Sequence, residues 1–352
     1  MSAMNTALAP NLLARLPKPP RKVVLLRASR IGDFLCAMPA LRALRARLPE
    51  VEISMITLPL LQEIAERSPS IDRFFPFPGF PGLAEQLFDP HAAVDFLRQV
   101  QQEAFDLAIQ MQGTGVHSNP FTLLLGARAS AGFIRPGDPP GLLDAALPYP
   151  HELHEIRCVL ALTTFLGAPP QGEELEFPLW PEDQTAAERL LSDLPQPWIG
   201  LHPSSRDGRR RWPLEDFAAL GRHLQERYGG TLLLLGDSEA HEAGQALEQV
   251  FLGTCRNLIG KTSLPVLGAV IARLALLVTN DSGPAHIAYA LCTPTVTIFG
   301  SSASPASNGP LIPGPFRLLV AHNADEPTLE SQVSETITEA RVFAAATELL
   351  SQ

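Results

Sequence analysis

Several signatures are missing from this 352-residue chain, and each absence excludes a class. It has four cysteines, Cys36, Cys158, Cys255 and Cys292, far apart and without a C-x-x-C pair. That argues against a disulfide framework and reads as buried thiols in a reducing compartment, so a cytoplasmic location is expected. No apolar run reaches the ~20 residues that span a bilayer. In the first twenty residues Leu12-Leu13-Ala14 is interrupted by Arg15, Lys18 and prolines, which fits no secretory leader. Positive charge is scarce: 27 Lys+Arg stand against 37 Asp+Glu, a net charge of -10, which argues against nucleic acid as the main partner. There is no G-x-G-x-x-G turn, Walker loop or G-x-S-x-G elbow. In His151-Glu152-Leu153-His154-Glu155 the histidines are three apart, not the four of H-E-x-x-H, so no metal is expected there and the segment reads as surface helix.

What is present is an alternation of apolar and amphipathic runs in a globular composition, 45% hydrophobic and 18% charged. In the first half, residues 23–26, 51–57 and 105–111 read as strands. Pro39 opens a helix to Leu48, residues 58–66 form another, and residues 74–90, rich in Phe, Pro and Gly, form a long loop. Residues 151–165 are helical. Residues 167–181, with four prolines and the acids Glu173, Glu174 and Glu176, read as a linker. The alternation then restarts, with strands at 198–202, 231–235, 257–259, 275–279 and 295–299, helices between them and a last helix from 335 to 350. Continuous apolar strands indicate parallel sheets covered on both faces. The expected architecture is α/β: two facing, doubly wound Rossmann-like domains with an interdomain cleft, ligands lying at the carboxyl ends of the strands. The expected spans are a loose tail at 1–20, domains at 21–175 and 176–335, and a helix at 336–352 packing back toward the first domain. Residues 1–50 carry nine Lys/Arg against Asp33 and Glu50, either an ordinary solvated surface or a basic face for an anionic ligand or membrane.

Five strand ends carry polar groups suited to chemistry. Asn280-Asp281-Ser282-Gly283-Pro284-Ala285-His286 joins a strand to a helix whose N-terminal N–H groups suit a phosphate, or it is a capped helix and no more. Arg27-Ala28-Ser29-Arg30-Ile31-Gly32-Asp33 sets one carboxylate beside a glycine; Asp33 is either a general base or a helix cap. His202-Pro203-Ser204-Ser205 runs into Arg206, Arg209, Arg210 and Arg211 before Trp212-Pro213, and guanidinium groups pair well with phosphate. At Gly236-Asp237-Ser238-Glu239 the Glu239 carboxylate suits sugar hydroxyls or its own helix dipole. Gly260-Lys261-Thr262-Ser263 offers backbone to a flat base, or an N-cap.

Taken together these blocks resemble glycosyltransferase family 9, the lipopolysaccharide heptosyltransferase family, from about Val23 to Phe299. The resemblance rests on Ile31-Gly32-Asp33 with Pro39 to Leu44, on His202-Pro203 through Arg211-Trp212-Pro213, and on Asn280 to Pro284 with His286. It implies the GT-B fold and inverting, metal-independent transfer of a sugar, heptose from ADP-heptose, to a lipopolysaccharide-core or other glycan acceptor. The absence of a D-x-D motif after a strand agrees with leaving-group charge met by protein groups. Asp33 then matches the catalytic base. Ser204, Ser205, Arg210, Glu239, Lys261, Thr262, Asp281, Ser282, Gly283 and His286 match the donor site in the second domain. Arg30, Gly32 and Gln112 fall to the acceptor side in the first. No cofactor beyond the donor substrate is implied. The partners are a nucleotide sugar and a glycolipid or glycan; a monomer is expected, with peripheral contact at the inner membrane left open. Arg210 stands where the family usually has lysine, and Ser301-Ser302 where it has Pro-Thr. Two alternatives stay open: a non-catalytic binder of sugar nucleotides or glycans, and a sugar-nucleotide epimerase or hydrolase.

Overall fold

The structure, a computed structural model, describes residues 10–251, 255–302, 304–321 and 337–351. The chain divides between Glu173 and Glu174 into two compact units. No helix among the described residues is long and apolar enough to cross a membrane.

The first unit opens with a short helix, α1 (Leu12–Arg15), inside the stretch expected to be a loose tail. Leu12 and Leu13 are buried, and the Asn11 N–H donates to the Phe165 carbonyl at 2.7 Å, so this segment is anchored by apolar burial; residues 1–9 lie outside the described residues. Then follow β1 (Lys22–Leu26), α2 (Ile31–Arg47), β2 (Glu52–Thr57), α3 (Gln62–Arg67) after a 3-10 turn at Pro59–Leu61, β3 (Arg73–Pro76), α4 (Pro90–Gln102), β4 (Leu107–Gln110), α5 (Ser118–Leu124), β5 (Ala129–Ile134), β6 (Ala145–Pro148) and α6 (Glu155–Leu166). The strands form one parallel sheet in the order β3-β2-β1-β4-β5-β6. The chain winds outward from β1 to β3 and returns to the other side of β1 with β4. The β1/β4 junction is therefore the switch point, where open α/β sheets form their ligand crevice.

Pro39 does not start a helix. It lies inside α2, which begins eight residues earlier at Ile31. Phe34 through Leu41 are all buried, as are Ala43 and Leu44, and this burial outweighs the hydrogen bond that an internal proline removes. The expected loop at 74–90 begins as strand β3. Beyond it Phe77 and Phe80 each stand edge-on to Phe121 at 5.2 Å between ring centroids, and Phe80 packs on Phe88, so aromatic contacts hold the loop.

The second unit contains α7 (Pro181–Leu191), β7 (Trp198–His202), α8 (Leu214–Tyr228), β8 (Thr231–Leu234), α9 (His241–Phe251), β9 (Cys255–Asn257), α10 (Leu264–Ile271), β10 (Leu276–Asn280), α11 (Gly283–Leu291), β11 (Thr295–Phe299), α12 (Pro305–Asn308), β12 (Phe316–Val320) and α13 (Glu339–Leu350). Its parallel sheet runs β12-β11-β10-β7-β8-β9. The same reasoning puts its switch point between β7 and β10. The last helix, α13, packs on α8, with Val342, Ala346 and Leu349 buried in the second unit's core. Trp212, fully buried, fastens this segment: its indole N–H donates to the Ile337 carbonyl at 2.9 Å. The expected boundary at 335/336 and the start of that helix at 335 lie outside the described residues.

Candidate functional site

The second unit brings three separated sequence blocks together at its switch point. β7 delivers His202 and then Ser204; the loop to α8 supplies Arg210 and Trp212; β10 and α11 supply Asn280 to His286. Asn280, with no exposed surface, is the joint. Its side-chain carbonyl accepts from the Trp212 N–H at 2.9 Å, and its amide donates to the Pro203 carbonyl at 2.8 Å. A second tie is Arg210, whose Nη1 donates to Asp281 Oδ2 at 3.0 Å. The Arg210 Nε is buried without a partner in the protein. Burial pushes the Asp281 carboxyl up, while His286 and Arg210 pull it back down.

His202 is the third tie. One ring nitrogen, Nδ1, lies 3.0 Å from Thr279 Oγ1 and 3.2 Å from Ser282 Oγ; the other, Nε2, lies 3.1 Å from Ser204 Oγ. Burial pushes the imidazole down to about 4, against the opposing pull of Asp237, so it is neutral near pH 7. In the sequence His202 stands in a strand-end block with no evident role of its own. Only the folded sheet shows that it spans two adjacent strand ends.

The arginine cluster is less uniform than its sequence suggests. Arg209 is turned onto Asp207, which also accepts from Ser302 Oγ at 3.0 Å, and the Arg211 Nε donates to the Ser205 carbonyl. These two arginines shape the loop, and Ser302, at a departure from the family pattern, helps hold it. Ser205 is buried and Ser204 half-buried beside them. Ser282 is the N-cap residue of α11, yet its side chain makes no cap hydrogen bond, and Gly283 opens the helix with Pro284 in the first turn. His286, one turn on, is buried and sits 3.2 Å from the Ser282 carbonyl through Nδ1. On the β8 side, Asp237 accepts from the Glu239 N–H at 3.0 Å and leaves the Glu239 side chain exposed. Lys261 donates its ammonium to the Asn257 carbonyl at 2.8 Å, and Thr262 is half-buried next to it.

In the first unit the residues expected on the acceptor side gather at the β1/β4 switch point, with a change of roles. Asp33 does not cap α2: the N-cap is Arg30, and Asp33 is an exposed first-turn residue, placed to complement the helix dipole. Gln112 is committed to structure. Its carbonyl accepts from the Ala28 N–H at 2.7 Å and its amide donates to the Ala28 carbonyl at 2.9 Å, lacing β4's exit to β1's. Arg30 is paired with Glu85 at 3.3 Å, and Gly32 lies in the first turn of α2.

Sequence reasoning missed the buried network beneath this turn. Arg27, 2% exposed, donates to the Met111 carbonyl, to the Asp33 carbonyl at 3.1 Å and to Glu155 Oε1 at 2.6 Å; Glu155 Oε2 accepts from the Tyr149 hydroxyl at 2.9 Å. Of the segment read as surface helix, His151 and Glu152 are exposed turn residues, and its end, His154-Glu155, is an internal anchor. His154 is buried and caps α6 by accepting from the Ile156 N–H, and Glu155 is the counter-ion of Arg27. The signal available in the sequence was a lone arginine ending an otherwise apolar strand, which must find a partner when buried.

Comparison with known proteins follows this geometry. A family model described as glycosyltransferase family 9 (heptosyltransferase) matches residues 93–336. Lipopolysaccharide heptosyltransferase 2 of Salmonella typhimurium (strain LT2) is 30% identical over 308 residues, covering 82% of this chain and 85% of the relative. Among solved structures, the family 9 glycosyl transferase of Veillonella parvula DSM 2008 superposes with a TM-score of 0.80 at 22% identity, covering 94% of this chain and 97% of that one. The E. coli ADP-heptose lps heptosyltransferase II superposes with a TM-score of 0.77 at 24% identity, covering 94% and 99%.

Proposed function

The chain belongs to glycosyltransferase family 9, and from that premise we propose that it transfers a heptosyl group from ADP-heptose to a lipopolysaccharide-core acceptor, with inversion at the anomeric carbon. The observation that carries this reading is the meeting of His202, Ser204, Arg210 and Asn280 to His286 at the switch point of the second sheet. Such a crevice, lined by a guanidinium and the N-terminus of a nine-residue helix, suits a diphosphate.

In this reading Ser204, Ser205, Arg210 and the Gly283 N–H at the start of α11 hold the donor's diphosphate. Asp281 orients Arg210, and His286 closes the inner side. Glu239, Lys261 and Thr262, at neighbouring strand ends, serve the nucleoside and sugar. Asp33, exposed at the first unit's switch point, takes the proton from the acceptor hydroxyl as that oxygen attacks the anomeric carbon. The bond from that carbon to the diphosphate oxygen breaks, and the charge left on ADP is met by Arg210 and the Gly283 N–H. No step calls for a divalent ion. The acceptor is a glycolipid, reached at the inner membrane face by a monomer.

The test is a thermal-shift series with ADP-, UDP- and GDP-sugars, followed by a transfer assay with a heptose-deficient lipopolysaccharide core. Stabilisation by ADP-sugars alone and a heptosylated product are expected. A preference for UDP- or GDP-sugars would overturn the donor assignment. Donor hydrolysis without transfer would overturn the reaction.

A further inference from the structure

We infer that His202 is the positioning residue of the diphosphate site: its two ring nitrogens set the Ser204 hydroxyl with its proton outward and draw Ser282 away from capping α11. The inference rests on the reading above that Ser204 and the α11 N-terminus face a diphosphate.

A neutral imidazole carries one N–H and one bare nitrogen, so two tautomers are open. If Nδ1 carries the proton, it donates to Thr279 or Ser282. Both of those hydroxyls then donate to the Asn280 carbonyl, from 2.9 and 3.0 Å. The bare Nε2 must in turn take the Ser204 proton, which leaves Ser204 presenting only lone pairs. Diphosphate oxygens at neutral pH also present only lone pairs, so this arrangement repels the ligand. If Nε2 carries the proton, it donates to Ser204 Oγ, and the Ser204 proton is released for a phosphate oxygen. Nδ1 then accepts from Ser282, while Thr279 keeps its bond to the Asn280 carbonyl. Every polar atom of the cluster stays paired, and the ligand gains a donor. A bound diphosphate therefore selects the Nε2–H tautomer.

The same contact explains an oddity of α11. Serine at an N-cap position ordinarily turns its oxygen onto the N–H groups of the first turn. Ser282 does not; its hydroxyl lies within 3.2 Å of His202, Thr279 and the Asn280 carbonyl instead. In the first turn Pro284 has no N–H and the Ala285 N–H donates to the Ser282 carbonyl at 3.1 Å, which leaves the Gly283 N–H for an external anion. His202 can do this because burial keeps it neutral. Thr279 and Ser282 beside it carry no charge, and Asp237 is the ionised group that acts on it.

The experiment is calorimetric binding of ADP to wild type, His202→Asn, Ser204→Ala, their double mutant and His202→Gln. Ring-nitrogen NMR of His202 in the wild type, with and without saturating ADP, accompanies it. Asparagine keeps a polar atom near the Nδ1 position but does not reach Ser204; glutamine reaches it. We expect His202→Asn and Ser204→Ala each to weaken ADP about tenfold, as for one hydrogen bond to a charged group. The double mutant should lose about tenfold, not a hundredfold, and His202→Gln should recover most of the affinity. Adenosine, which has no phosphate, should bind wild type and His202→Asn alike, which a merely structural role would not allow. The NMR should show the proton on Nε2 when ADP is bound. Additive losses, a parallel loss of adenosine binding, or a proton that stays on Nδ1 under saturating ADP would each overturn the role of His202 while leaving the diphosphate site intact. Failure of ADP to bind the wild type overturns the site reading, and this inference falls with it.

Discussion

Arg210 and Asp281 lie seventy-one positions apart in sequence, yet Nη1 of one stands 3.0 Å from Oδ2 of the other at the junction of β7 and β10. The carboxylate is 3% exposed and the arginine side chain 33%, so the pair points from the interior toward solvent. Asp281 fixes the guanidinium from behind and leaves its outer edge toward solvent. We expect Arg210→Met to weaken ADP by roughly 10–100-fold, the range of a lost hydrogen bond to a charged group. Arg210→Lys should recover only part of this, because an ammonium cannot bond Asp281 and a phosphate through one planar fork. Calorimetry measures both. Full affinity in the methionine variant would remove Arg210 from the donor site.

Asp33 tests the chemistry separately from binding. Its carboxylate is exposed in the first turn of α2, and the turn is held from below by the Arg27 bond to the Asp33 main-chain carbonyl. Asp33→Asn preserves size and polarity and removes basicity. Turnover should fall by a factor of ~10² or more while the ADP dissociation constant is unchanged. A near-normal rate in single-turnover transfer would show that another group accepts the proton.

The fold class was legible because its signal is local. Apolar strands such as Val23 to Leu26 and Leu276 to Val278 are continuous runs, and a parallel sheet buried on both faces needs such runs. β3, β5 and β6 were not legible. Arg73-Phe74-Phe75-Pro76 carries a proline, and Ala129 to Ile134 and Ala145 to Pro148 are short and rich in small residues; neighbouring strands, more than their own propensity, make them strands. Much of the candidate site was readable from strand ends, since Ser204, Arg210 and Asn280 to His286 follow apolar runs and precede helices. The partnerships were not. Nothing local says that Gln112 laces Ala28 or that Glu155 neutralises Arg27, because those pairings depend on which strands become neighbours. Pro39 misled for a related reason: its preference for a helix start was overridden by burial of the residues on both sides of it, from Phe34 to Leu44 with Arg42 excepted.

Asn280 is expected to act on stability and binding together. It satisfies the Trp212 N–H and the Pro203 carbonyl, both otherwise left buried without partners. Asn280→Ala should destabilise the protein by about 3 kcal/mol, at ~1–3 kcal/mol for each orphaned group. Asn280→Asp keeps the acceptor for Trp212 but turns an acceptor onto the Pro203 carbonyl, so it should be at least as harmful near neutral pH. Urea unfolding of the protein, followed by the fluorescence of Trp180, Trp198 and Trp212, all of which lie in the second unit, distinguishes these variants from wild type. Equal midpoints would show that the two loops are held elsewhere.

The Arg27–Glu155 pair predicts the acid limit of the first unit. Burial raises the Glu155 carboxyl, but Arg27 and the Tyr149 hydroxyl outweigh it and hold the group below its ordinary value. A carboxylate with a depressed pKa in the folded state adds stability above its unfolded pKa of about 4.3, and that stability is lost as pH falls through the lower folded value. Glu155→Gln removes the titration and takes from the buried Arg27 charge its hydrogen-bonded carboxylate. At pH 7 it should cost about 3 kcal/mol, in the range for breaking one side of a buried pair. As pH is lowered from 5 toward 2 the wild type should lose stability steadily, while the variant loses less, so the two converge. Denaturant midpoints of both proteins across that interval test the sign directly. Parallel curves would mean that Glu155 titrates alike in the folded and unfolded chain, and that Arg27 is held by its main-chain contacts to Met111 and Asp33 alone.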